Sequence, residues 1–388
     1  MMNSNPLVSI IINNYNYVRF IRNAIDSAIN QTYSNIEVIV VDDGSKDDSP
    51  KIIREYDNKI VTIFKQNGGQ ASAFNAGFDI SNGDIIVFLD SDDALLPTTI
   101  ERVVELFRDS KVVKVHWKLY IIDEIGKKTG RIIPHLTLAE GDFKKELIQY
   151  GPNNCGGPSH SPPTSGIAWF RHFLERVFPL SEEEFKTGGN DYYLSVLAPL
   201  FGELRSIPEP QGLYRIHGNN DTLKPIEEYI KGFFYWFEHT CFKLSQHLQN
   251  IGIEIDSSTW TRDSWYHQIH EALHEIISVI PIWNSFILID GNSLRISDTI
   301  EGRYRIPFME KNGQYCGEPA DDESAIKEID RQRENGVSFV VFAWPAFWYM
   351  DHYFKLNDYL RTQYKCVLES ERLVVFDLQT KRETNLGN

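Results

Sequence analysis

Residues Gly83–Pro97 read GDIIVFLDSDDALLP. The apolar run Ile85–Leu89 has the length and composition of a strand buried on both faces. It stops on Asp90, Ser91, Asp92 and Asp93. Carboxylates packed this closely repel one another, so turns, caps or a cation must hold them. The same pattern recurs upstream. LVSIIIN (7–13), IEVIVVDD (36–43) and KIVTIF (59–64) are further apolar runs, and they lead into NNYN, DDGS and KQNGGQ. Between them lie VRFIRNAIDSAINQ, KIIREY and QASAFNAGFDIS, of helical character, and PTTIERVVELFRD follows, with Pro97 suited to a first helical turn. Strands alternating with helices predict an α/β doubly wound, mostly parallel sheet with helices on both faces. Ligands of such sheets sit beyond the carboxyl ends of the strands, so these polar strand ends are expected to converge on one crevice.

The chain has 388 residues, 42% hydrophobic and 24% charged, more than one core usually serves. From Val112 the pattern changes. VVKVHWKLYIIDEIGK reads as a hairpin, GPNNCGGPSHSPPTSG (151–166) as a loop, and ELRSI and GLYRIHG as two strands. Residues 225–277 read as amphipathic helix, and the α/β pattern then returns. The expected organisation is a first domain over 1–222, a helical connecting segment over 223–280 and a second small α/β domain over 281–388.

A net charge of −15 argues against nucleic acid or anionic lipid as a partner of the overall field, and any phosphate handled here needs a metal or local donors. Cys155, Cys241, Cys316 and Cys366 lie far apart, with neither zinc-site spacing nor a disulfide framework. A reduced, cytoplasmic setting is expected. The amino terminus lacks a signal-peptide pattern and no run is long enough to span a bilayer. Peripheral association at the inner membrane face and homo-oligomerisation both stay open.

Several chemistries lack their motifs. No G-x-G-x-x-G follows the first strand, no phosphate-binding Walker sequence occurs, and no G-x-S-x-G elbow occurs. Asp90 and Asp92 form a D-x-D pair at a strand end. Clustered carboxylates are hard oxygen donors suited to Mg²⁺ or Mn²⁺, which commonly bridge one or two carboxylates to substrate phosphates. The competing reading is helix capping by Asp92 or Asp93.

The runs PLVSIIINNYNYVRFIRNAIDSAINQTYSNIEVIVVDDGSKDDS and QNGGQASAFNAGFDISNGDIIVFLDSDD, followed by PTSGIAWFR, NDYYLSVLAPLFG and YRIHGNN, resemble the family-2 glycosyltransferases of GT-A fold. The resemblance covers roughly the first 220 residues, with the motifs in family order. It implies that Asp43 binds the base or ribose of a nucleoside-diphosphate sugar, a carboxylate being suited to the N3–H of uracil. Asn13 and Tyr15 would line the same pocket. Asn67, Gln70 and Asn75 would contact diphosphate or sugar. Asp90 and Ser91 would face the ribose and phosphates, and Asp92 would hold the metal. Asp191 falls at the family's catalytic base, although Asn190 stands where a Glu often does. His217 would complete the metal site or touch the diphosphate, and Arg215 would offset phosphate charge. The implied activity is a Mn²⁺- or Mg²⁺-dependent inverting transfer, from a UDP-sugar to a hydroxyl of a glycan or lipid-linked saccharide, in surface polysaccharide synthesis. The rivals are a catalytically silent sugar-nucleotide or glycan-binding module, and a nucleotidyltransferase.

Two further features compete for attention. HEALH (270–274) matches the zincin pattern H-E-x-x-H but has no third ligand in a familiar arrangement. Its histidines are expected on the flank of an apolar stripe of Trp265, Ile269, Leu273 and Ile276. The aromatic run FAWPAFWYMDHYF (342–354) is read as domain core or interface rather than a sugar-binding surface.

Overall fold

The computed structural model describes residues 5–152, 161–186, 188–218, 220, 226–294, 296–311 and 313–381. Cys155 and half of the Gly/Pro/Ser-rich loop, residues 153–160, lie outside these residues. The chain divides into two compact units, Met1–Leu223 with Gly232–Thr261, and Lys224–Lys231 with Arg262–Asn388.

In chain order the first unit contains β1 (Val8–Asn14), α1 (Ile21–Ile29), β2 (Ile36–Asp42), α2 (Ser49–Arg54), β3 (Val61–Phe64), α3 (Gln70–Ile80), β4 (Ile85–Asp90) and β5 (Ala94–Leu95). There follow α4 (Thr99–Leu106), β6 (Val112–Ile122), β7 (Lys128–Ile133), α5 (Lys144–Tyr150), β8 (Ile167–Phe170), α6 (Arg171–Leu174), α7 (Asn190–Leu197) and β9 (Glu203–Arg215). The long helix α8 spans Ile226–Asn250, and α9 spans Ser258–Arg262. The sheet runs β3-β2-β1-β4-β8-β6-β9-β5, with β7 paired to β6.

The four amino-terminal strands are parallel, as the alternation predicts. β8 is antiparallel to both β4 and β6, so the sheet is mixed beyond that point. From β1 the chain adds β2 and β3 on one side and β4 on the other. The gap between the carboxyl ends of β1 and β4 is therefore the topological switch point. Register brings Asn13 opposite Asp90 and Asn14 opposite Asp42 there. Ile10, Ile12, Val40, Val87 and Leu89 point into one core with Ile21, Ile25 and Val103 of the covering helices.

Two local readings differ from the sequence expectation. Helix α4 starts at Thr99 with Thr98 as its N-cap, so Pro97 precedes the first turn instead of occupying it. ELRSI and the GLYR of GLYRIHG belong to one thirteen-residue strand, β9, which ends at Arg215. Its pairing with β6 jumps from Trp117↔Ile207 to Leu119↔Gly212, so Pro208–Gln211 bulge out where no ladder donor is required. The hairpin that opens at Val112 is expected and present, with β6 running eleven residues before turning into β7.

The second unit contains α10 (Trp265–Val279), β10 (Ser285–Ile289), β11 (Thr299–Ile300), β12 (Arg303–Pro307), β13 (Glu310–Lys311), β14 (Gln314–Tyr315), α11 (Asp322–Glu334) and β15 (Phe339–Ala343). It ends with α12 (Trp348–His352), α13 (Phe354–Gln363), β16 (Tyr364–Glu369) and β17 (Leu373–Lys381). Its sheet order is β11-β12-β10-β15-β17-β16, parallel in the middle and antiparallel at both ends. Of the aromatic run, Phe342, Tyr349 and Tyr353 are buried in this core, whereas Trp348 and Phe354 are exposed. His270 and His274 lie on α10 with their Nε2 atoms 3.2 Å apart. Ile269, Leu273 and Ile276 form the buried stripe, while Trp265 is exposed.

Candidate active site at the switch point

Asp90 ends β4, and both of its neighbours in space donate to it. Asn13 Nδ2 lies 3.1 Å and Gln70 Nε2 2.9 Å from Asp90 Oδ1. Gln70 opens α3, and its Oε1 accepts from Asn190 Nδ2 at 3.0 Å. A hydrogen-bonded chain thus runs from β1 through β4 and α3 to the first residue of α7, which also carries Asp191. Gly189 caps that helix at φ +88°, and a Cβ there would lie 2.5 Å from the Trp236 ring. Only glycine combines that φ with so close a ring. The amide carbonyl oxygens of Asn13 and Asn190 are buried, with no partner among the described residues.

Burial, and then the charges of Asp92 and Asp191, push the Asp90 carboxyl up to about 7. The Asp90 amide donates to Ser165 Oγ at 3.2 Å. Ser91 is buried. Asp92 Oδ2 lies 2.9 Å from His217 Nε2. The His217 ring is held 5.5 Å from Tyr17 and 5.2 Å from Phe20, and its backbone N–H donates to Asn220 Oδ1 at 2.9 Å. Asp93 is buried, and one of its oxygens accepts from the Arg215 N–H at 3.0 Å. It ties the turn to β9 and does not cap α4.

The Arg215 guanidinium is consumed locally, against the expectation that it meets phosphate. Nε donates to the Asp92 carbonyl at 2.9 Å, Nη1 to the Asp123 and Glu124 carbonyls, and Nη2 to Asn23 Oδ1 at 2.9 Å. Its plane lies over Phe20, 4.9 Å from the ring centroid. It braces the turn that presents Asp92.

The nucleotide-side residues divide into two groups. The Asp43 carboxylate accepts from Lys65 Nζ at 2.7 Å and from the N–H groups of Gly68 and Gly69. Asn67 Nδ2 donates to the Asp43 carbonyl at 3.0 Å. Together they close the loop before α3 over the end of β2. Gly44 makes this approach feasible, because it adopts φ +79° and a Cβ there would sit 2.7 Å from the Asn67 nitrogen. Tyr15 is exposed beside them. Asn75 stands apart. Its Nδ2 donates to the Leu180 carbonyl at 2.9 Å and its Oδ1 accepts the Leu180 N–H at 2.8 Å, so its amide clamps backbone.

Asp191 is half-buried, and its Oδ1 accepts its own helix's Tyr192 N–H at 2.8 Å. Burial raises its pKa; the Lys114 ammonium opposes that shift. Lys114, on β6, is fully buried and was not singled out from sequence. Its Nζ donates to Ser195 Oγ at 2.9 Å and Ser161 Oγ at 3.1 Å, and lies 5.6 Å from the Trp169 ring. Burial pulls its pKa down to about 7. Ser195 is one turn after Asp191 on the same face of α7. A legible signal did exist: a lysine in the middle of VVKVHWKL, a run whose apolar residues occupy both strand faces.

Asp92 and His217 lie at a hydrogen-bond distance that is also compatible with shared coordination of a divalent cation. Adjacent corners of an octahedron with ligand distances of about 2.1 Å are about 3.0 Å apart, which matches their 2.9 Å separation. Among the described residues no group of three or more His, Cys, Asp or Glu side chains is arranged to hold a metal. The remaining positions of such an ion would fall to substrate phosphate and water.

Residues 9–178 match the profile described as Glycosyl transferase family 2. Among curated proteins, the chain is 38% identical over 220 residues to an uncharacterized glycosyltransferase of Nostoc, covering 56% of this chain and 66% of that one. It is 45% identical over 121 residues to an uncharacterized glycosyltransferase of Rickettsia prowazekii, covering 31% of this chain and 38% of that one. The matches thus span less than two thirds of these relatives' own lengths. Among solved structures, residues 1–349 of S. aureus TarS in complex with UDP align over 71% of this chain and 81% of that one, at 17% identity and a TM-score of 0.45. A mannosyltransferase of Pyrobaculum calidifontis in complex with GDP-Man and Mn²⁺ aligns over 61% of this chain and 65% of that one, at 17% identity and a TM-score of 0.42.

Proposed function

Because the amino-terminal domain belongs to glycosyl transferase family 2, we propose that the chain moves a sugar from a nucleoside-diphosphate sugar to an acceptor hydroxyl with inversion at the anomeric carbon. A UDP-sugar is the donor in this reading, and a glycan or lipid-linked saccharide of surface polysaccharide synthesis the acceptor. The observation that carries the proposal is the hydrogen-bonded chain Asn13–Asp90–Gln70–Asn190, which couples the strand-end carboxylates to the helix bearing Asp191.

In this reading Asp191 takes the proton from the acceptor hydroxyl as its oxygen attacks the anomeric carbon. Burial raises the basicity of Asp191, while Lys114 keeps its ionised form accessible. The unpartnered carbonyl oxygens of Asn13 and Asn190 would accept donor hydroxyls. Asp43, Asn67 and Tyr15 shape the nucleoside side, with Asp90 and Ser91 beside the diphosphate. Asn75 acts at one remove, by holding the backbone at Leu180. Asp92 and His217 would hold Mn²⁺ or Mg²⁺, which supplies charge stabilisation to the departing diphosphate.

A thermal-shift screen of UDP- and GDP-sugars, with and without Mn²⁺, tests the donor assignment. A stabilisation requiring both metal and nucleotide sugar is expected. In Asp191→Asn, donor hydrolysis should fall by about two to four orders of magnitude with nucleotide binding retained. Unchanged hydrolysis in that variant would remove Asp191 as the base, and release of pyrophosphate would point to nucleotidyl transfer instead.

A further inference from the structure

Tyr193 follows Asp191 by two residues and therefore faces the other side of α7. There it lines a groove of about 510 Å³ between the 176–184 segment and α8, inside the first unit. The α8 wall of the groove carries His239, Lys243 and His247, one helical turn apart on a single stripe. A packed helix face is apolar at that spacing. This one presents two imidazoles and an ammonium.

The facing wall supplies Arg176 and Glu184, the one carboxylate among the lining residues. Glu184 Oε1 is 3.4 Å from His239 Nδ1. Arg176 contacts His172 Nε2 at 3.4 Å, and Lys243 Nζ lies 6.0 Å from the Phe242 ring; neither forms an ion pair among the described residues. The His247 ring stands edge-on to Phe201 at 5.6 Å. Two permanent cations and two imidazoles thus face one carboxylate, in a chain of net charge −15. Burial holds both imidazoles below their usual range. Lys243 adds to this at both, while Glu184 opposes it at His239. Tyr193 is kept protonated by burial. An anion seated against Lys243 would reverse the effect and draw protons onto both rings.

We propose that this groove binds a phosphoryl group, with Lys243 and Arg176 pairing with its oxygens and His239 and His247 donating from either side. The forked guanidinium and the flanking donors suit a tetrahedral oxyanion. Along the helix axis each histidine is about 6 Å from Lys243, within reach of a phosphate centred there. The volume exceeds what one phosphate fills, so the group would belong to a larger ligand. The site needs neither a donor nucleotide nor Asp191.

The test is a titration of the full chain with inorganic phosphate, read by the Cε1–H resonances of its histidines. The signals of His239 and His247 should move together and saturably, with their pKa values rising, while those of His270 and His274 in the second unit stay in place. Lys243→Gln and Arg176→Gln, both away from the proposed reacting groups, should each weaken the effect roughly ten-fold. Co-sedimentation with phosphatidylcholine vesicles containing phosphatidic acid, but not with phosphatidylcholine alone, and its loss in Lys243→Gln, would identify a lipid phosphate. A phosphate response without co-sedimentation would identify a soluble one. No saturable shift up to about 50 mM phosphate, or an undiminished shift in both variants, overturns the proposal. Asp191→Asn should leave the response intact, which separates this outcome from the fate of the transferase assignment.

Discussion

Replacing Lys114 with Met should stabilise the protein at low pH and hardly at all at high pH. Lys114 is completely buried, and among the described residues its ammonium meets two hydroxyls and a ring, with the Asp191 charge favouring its protonated form. Its pKa falls from 10.5 to about 7, so between those values the unfolded chain binds a proton that the native state does not. Stability contributed at this site is therefore present above the unfolded pKa and is lost as pH falls through the folded one. The full shift corresponds to about 5 kcal/mol. Between about pH 6.5 and pH 9.5 the site alone should change stability by about 3 kcal/mol. Methionine keeps the length and removes the charge, and Ser161 and Ser195, 3.1 Å apart, can satisfy each other. Urea unfolding of wild type and Lys114→Met at both pH values gives the difference directly, and titrating groups that do not feel the Lys114 charge cancel in the comparison, which leaves only Asp191 and His116 to shift with it. The variant's advantage should shrink by about 3 kcal/mol from low to high pH. An advantage independent of pH would refute the argument, because the ammonium would then not be the desolvated group. The same variant should move the acidic limb of donor hydrolysis to higher pH, since Lys114 opposes the rise in the Asp191 pKa.

Two further outcomes are expected. His217→Ala should raise the Mn²⁺ concentration needed for half-maximal nucleotide-sugar binding by about 10–100-fold, measurable by thermal shift at fixed donor; an unchanged requirement would leave Asp92 without its partner. Gly44→Ala should cost about 1–3 kcal/mol, because φ is +79° and the added Cβ meets the Asn67 nitrogen at 2.7 Å. A urea midpoint equal to wild type would show that the Asp43–Gly69 loop is more pliable than its hydrogen bonds imply.

Much of the first unit is readable from the chain because its signals are local. The apolar runs at Ile10–Ile12, Val38–Val41 and Ile85–Leu89 are strands buried on both faces, and their polar ends must then share one edge of the sheet. The rest depends on partners remote in sequence. Asn75 resembles a ligand contact until Leu180, 105 residues away, takes both ends of its amide. Arg215 resembles a phosphate anchor until Asn23, Asp92 and Asp123 occupy its donors. Pro208 and Pro210 argue for two strands, and only the pairing with β6 shows one strand with an excursion. The resemblance already divides the labour within Asp90–Asp93, but the partners that these carboxylates meet, Gln70, His217 and Arg215, are remote in sequence.

The excursion in β9 has a consequence for how the chain tolerates changes in length. Residues added or lost at 208–210 fall where β9 already leaves its ladder, and the pairing can resume at Gly212, after the buried Gln211 whose carbonyl accepts from Leu96 and Thr99. A single insertion between Leu213 and His217 has no such outlet. Alternate residues of a strand face opposite sides, so one extra residue would turn Arg215 away from Asp93 and carry His217 off Asp92. Relatives and engineered variants should therefore differ freely in length on one side of Gly212 and almost never on the other.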